Sequence, residues 1–181
     1  MCIRDRLDAR DPAAAEASAR QALALDAADL DADVLLVRSL IARHRHADAA
    51  PRLAALEARV PAGSLSAAWT QSLRGRLLLA ENRRAEALPL LRRAVSTALS
   101  AAGPQSLDLV ALRLAAAEAL LGSDQRRELQ AQLDAALATL ERLGGAHAVR
   151  AAVIEARMAT ARYTGYFLSL IHISEPTRLG M

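Results

Sequence analysis

Four segments of the sequence repeat one pattern of small and large residues. In AEASARQALAL, at 15–25, Ala15, Ala19 and Ala22 share a helical face with Leu23 behind them. The pattern returns with Ala49 in the place of Ala15, and again with Ala87 in the place of Ala49. Between these last two copies the motif Ala-acid-Ala-x-Pro-x-Leu recurs literally, so that Pro51 and Pro89 are equivalent. A fourth copy, LQAQLDAALATL at 129–140, puts Leu133, Ala136 and Leu137 where Leu91, Ala94 and Val95 stood in the third. Recurrence at a period of roughly 20–50 residues means stacked supersecondary units, each burying against its neighbours what it cannot bury alone.

The units are helical. The 181 residues include 44 Ala and 23 Arg but no Lys, and only 2% are aromatic. Ala, Leu, Arg and Glu favour helix, while strand-forming residues are scarce. Other amphipathic stretches lie between the repeats, at 30–43, 66–81, 107–121 and 148–162. In the first, Leu35, Leu36, Leu40 and Ile41 cluster on one face; Leu73, Leu77, Leu78 and Leu79 do so in the second. Pro61 with Gly63, Gly103-Pro104, Gly122-Ser123 and Gly144-Gly145 separate the helices. Asp11 before Pro12 is an N-cap with proline at the first helical position. The chain therefore reads as helix–turn–helix, repeated about four times. Proline costs about 3 kcal/mol inside a helix but little in its first turn. The helices carrying Pro51 and Pro89 are accordingly expected to start near 47–49 and 85–87, or to kink alike.

This arrangement resembles the tetratricopeptide repeat family, whose unit is a helix pair of about 34 residues. Gly75 falls where the family's first helix needs a small residue and Leu78 where it needs a large one. In the second helix Ala87, Leu91 and Ala94 match its small, large, small positions. The longer spacing from Ala94 to Ala136, with Gly-rich openings, is similar to the kinesin-light-chain variant. Trp69 departs from the family's usual tryptophan position. The resemblance implies an all-α fold, a right-handed α-solenoid of about four antiparallel helix pairs, whose first helices line a concave groove. In that groove it places Asp31 and Arg38, then Trp69, Ser72 and Arg76, then Glu118. Trp69 and Arg76 are expected to be partly exposed there with Arg38 nearby, Trp and Arg being the residues most enriched in binding hot spots.

Chemistry of other kinds is not announced. There is no Gly-rich phosphate loop, HExxH helix or nucleophile elbow. The lone Cys excludes a disulfide framework and a Cys-based zinc site. His44 and His46 in RHRH are two apart, do not share a helical face, and read as a solvated turn; Asp29, Asp31 and Asp33 read as charges at a helix N-terminus. No apolar run reaches the roughly 18 residues of a membrane span. Arg and acids interleave to a net charge of +3, without the basic block of a nucleic-acid footprint. The expectation is a non-catalytic interaction scaffold in the cytoplasm, without cofactor or metal, whose partner is a protein or peptide. The family's carboxylate clamp uses Lys and Asn; this chain has no Lys, and its one Asn, Asn82, lies in a turn, so chaperone C-terminal tails are not the expected ligand. The alternative is the sensory or regulatory region of a larger signalling protein. Ala/Leu/Arg-rich bacterial arrays of this resemblance are often joined to protein kinase or winged-helix domains.

The two ends have a different character. Residues 1–6 read MCIRDR and 168–178 read LSLIHISEPTR. A single oligonucleotide read on opposite strands encodes both, as a transposon-end adapter from a shotgun sequencing library would. Residues 1–6 and 168–181 are thus expected to be foreign, to bury little, and to flank an internal fragment at 7–167.

Overall fold

A computed structural model describes residues 11–143 of the chain, apart from 122 and 124. All regular structure among them is helical: α1 (Pro12–Leu25), α2 (Leu30–Ala42), α3 (His46–Glu57), α4 (Leu65–Ala80), α5 (Arg84–Ala102), α6 (Leu107–Leu120) and α7 (Arg126–Leu143). The stretches expected at 30–43, 66–81 and 107–121 match α2, α4 and α6 to within a residue at each end. The expected helix at 148–162 and the segments 1–6 and 168–181 lie outside the described residues.

Local chemistry sets the helix starts. The Asp11 side chain accepts from Ala14 N at 2.9 Å, with Pro12 opening α1. Asp29 accepts from the N–H groups of Asp31 and Ala32 ahead of α2, Ser64 from that of Ala67 in α4, and Ser106 from that of Asp108 in α6. Gly63 and Gly103, at φ of 75° and 76°, turn the chain before the α4 and α6 caps.

The α2–α3 and α4–α5 turns are the same structure, built twice. His44 and Asn82 take left-handed φ of 58° and 60°, a region His and Asn visit more readily than most side chains. Behind them Arg45 N donates to Leu40 O at 2.9 Å, and Arg83 N to Leu78 O at 2.8 Å, closing each preceding helix in a Schellman motif. Each arginine then reaches forward, Arg45 Nε to Asp48 and Arg83 Nε to Glu86, both at 2.8 Å. Helices α3 and α5 begin at His46 and Arg84, one residue ahead of the expected starts and in the same register to Pro51 and Pro89. Each proline lies just past the first turn, so the carbonyls of Ala47 and Ala85 lose their i+4 donor. Both rings face solvent. Pro89→Ala therefore sacrifices no packing and regains a helical hydrogen bond, partly offset by a freer unfolded chain. It should raise unfolding stability by about 1 kcal/mol in urea titration, and Pro51→Ala by a similar amount.

Each helix packs on its neighbours in sequence, and α4 also packs on both α2 and α6. The pairs are antiparallel: in α4 and α5, Gln71 meets Thr97 while Gly75 meets Leu91. The row α2, α4, α6 is parallel. Asp31 and Arg38 meet Ser66 and Trp69, and Trp69 and Arg76 meet Asp108 and Glu118, in the same order along each helix. Small residues let the pairs close. A β-carbon on Gly75 would stand 2.8 Å from Leu91 Cγ, and Ala15, Ala49, Ala87, Ala94 and Ala136 are all fully buried. Leu36, Leu53, Leu73, Leu91, Leu112 and Leu133 fill the space between them. No helix among the described residues is long and apolar enough to cross a membrane.

Candidate functional site

The six residues expected in the groove are brought together along the α2–α4–α6 row. At its near end the Ser66 hydroxyl lies 3.3 Å from an Asp31 carboxylate oxygen. The Arg38 guanidinium is stacked 4.0 Å above the Trp69 ring centre, and the indole Nε1–H donates to Asp108 Oδ1 at 3.1 Å. Further along, Arg76 and Glu118 approach to 3.6 Å. One ring thus touches a side chain from each flanking helix.

The exposure expected of Trp69 is corrected. It is only 7% exposed. Its place near the start of α4 lies where α2 and α6 close from either side, so Arg38 covers the face and α6 receives the indole edge. Ser72, one turn on, is also buried, and its Oγ has no hydrogen-bond partner among the described residues. Asp31 and Glu118 are exposed, while Arg38 and Arg76 are half-buried. The surface of the row is therefore two acids and two arginines over a tryptophan that belongs to the core. The sequence pattern did not single out Asp108, which is buried and fixes the indole.

Two further buried acids also escaped it. Asp33 lies in the first turn of α2, as its reading as a helix N-terminal charge expects, but is only 3% exposed. It accepts from Arg52 Nε at 2.6 Å and Arg59 Nη1 at 2.8 Å. The available signal was its spacing from Val37 and Ile41, which puts an acid in an apolar stripe. Glu16 of α1 is the second, taking Arg20, Arg43 and Arg45 on its two oxygens. Burial by itself would raise the Glu16 pKa, but the three guanidiniums outweigh it and hold the carboxyl below its ordinary value near 4.5. A depressed folded pKa gives stability that is present above the unfolded value and lost as pH falls through the folded one. Stability should hence decline as pH drops below about 4.5. Glu16→Gln should cost about 2 kcal/mol at pH 7 and flatten that acid limb, as read from urea midpoints between pH 3 and 7.

His44 and His46 stack edge to face at 5.9 Å. Among the described residues no three His, Cys, Asp or Glu side chains are placed to share a metal ion. No protein family, curated protein or solved structure matches this chain.

Proposed function

We propose that the chain is a tetratricopeptide-like module that binds a protein or peptide on the outer face of α2, α4 and α6. In this reading the helix pairs continue as a right-handed solenoid, the row is its concave wall, and the module acts by holding a partner. The observation that carries it is the parallel row itself. Three helices separated in sequence present Asp31, Arg38, Arg76 and Glu118 on one continuous surface, over a rigid aromatic floor. The duplication of the α2–α3 turn at α4–α5 supports a repeated unit. Half-exposed arginines over aromatic area suit a binding face, because an exposed pair such as Arg76–Glu118 contributes under about 1 kcal/mol and is easily exchanged.

The test is peptide-display selection on the immobilised chain, followed by calorimetry with the selected peptide. Charge reversal of Arg76 or Glu118 should weaken binding about tenfold while moving Tm by under about 2 °C. Undiminished binding after both reversals would place the partner elsewhere.

A further inference from the structure

The α2–α3 turn reads Arg43-His44-Arg45-His46, a run the interaction face does not use. Its two arginines and Arg20 of α1 converge on one carboxylate. Arg20 Nη2 and Arg45 Nη1 lie 2.9 and 2.8 Å from Glu16 Oε1, and Arg43 Nη1 bonds Oε2. The Glu16 side chain is 6% exposed, whereas the guanidinium side chains keep 38–56% of their surface in water. Three positive charges thus surround one buried negative one. Only Asp48, bonded to Arg45, adds a second carboxylate to the cluster among the described residues. One positive charge is left over, held close to its like neighbours.

The Arg83 and Arg92 clusters are compensated. Arg83 stands between Glu81 and Glu86, and Arg92 between Glu128 and Gln125. Asp33 also holds two arginines, but there Arg59 gives its other nitrogen to the carbonyls of Ala27 and Ala28. The equivalent turn between α4 and α5 reads Glu81-Asn82-Arg83-Arg84, with an acid in the place of Arg43. The surplus charge therefore belongs to the first turn and not to the repeat. Arg20 engages Glu16 through Nε and Nη2 and Arg43 through Nη1, so Glu16 does not use Arg20 Nη1 or Arg43 Nε and Nη2.

We propose that Arg20, Arg43 and Arg45 form a phosphoryl-anion site that receives a phosphorylated side chain of the partner protein. A phosphate monoester is a near-dianion with three strong acceptor oxygens, which suits several fixed guanidiniums better than a carboxylate does. Glu16 positions the three arginines and stays ionised at neutral pH because they hold its pKa low. The turn continues the helix that carries Arg38, five residues or about 7 Å upstream, so a ligand lying on the row can reach it. Only the carrier of the phosphate rests on the interaction-face reading.

The anion site is tested on the full chain with inorganic phosphate, at ionic strength held constant with chloride. Phosphate should raise Tm saturably by about 3 °C, and chloride should not. Arg43→Gln and Arg20→Gln should each weaken the effect about tenfold, while Arg93→Gln on exposed α5 surface should leave it unchanged. A phosphoserine peptide should then bind at least tenfold tighter than its unphosphorylated form. Preferential binding to phosphoinositide vesicles over that peptide would overturn the protein-borne source. An equal effect of chloride, or an undiminished phosphate effect in both variants, would mean a structural ion cluster only and sink the proposal. Failure of the row reversals to affect peptide binding would leave the phosphate shift intact, so the two readings fail separately.

Discussion

Replacing Trp69 with alanine should destabilise the chain by about 3–5 kcal/mol, the range for emptying a buried aromatic site. The ring is 7% exposed, carries the Arg38 guanidinium on one face, and donates to Asp108 from its edge. Its loss opens both seams of α4 at once. Trp69→Phe keeps most of the packing and loses the donor, at about 1–2 kcal/mol. Urea unfolding followed by circular dichroism distinguishes the two, since no other Trp remains for fluorescence. An alanine variant with an unchanged midpoint would return Trp69 to the surface.

Gly75→Val should cost about 3 kcal/mol or more. Its β-carbon would meet Leu91 Cγ at 2.8 Å and Ala87 O at 3.3 Å, and Leu91 is 1% exposed with no room to retreat. Gly75→Ala sets a gain of about 1 kcal/mol in helix propensity against about 1–3 kcal/mol of overpacking, for a net loss near 1. In a Leu91→Ala background the obstruction is gone, and Gly75→Ala should become neutral or stabilising. Additive behaviour in that double-mutant cycle would show that α4 and α5 do not meet at this point.

The helices were legible because their limits are written in short-range chemistry. Asp11-Pro12, Pro61 with Gly63, and the period of Leu73, Leu77 and Leu78 each act within a turn or two of where they stand. The small positions Gly75, Ala87 and Ala94 were legible because close approach admits few alternatives. Side-chain fate across the row was not. Trp69, four and eight residues before Leu73 and Leu77, borders their apolar stripe, and the placement of α2 and α6 decides whether that border faces water or a third helix. The arginines that neutralise Asp33 lie 19 and 26 residues away, and two of those on Glu16 lie 27 and 29 away. No periodicity within one helix reports such a pairing. Of the six residues named from the sequence, Asp31, Arg38, Arg76 and Glu118 reach the surface, while Trp69 and Ser72 are buried.

The helices pack on partners one or two places along the chain, and among the described residues α4 alone is pinned on four sides, by α2, α3, α5 and α6. Stability in such a layout is close to a sum over successive interfaces, each able to open while the others hold. On the proposed reading, a partner lying across α2, α4 and α6 would bridge the α2–α4 and α4–α6 junctions. Its occupancy would then be felt as sharper, more concerted unfolding, with no helix needing to change its shape.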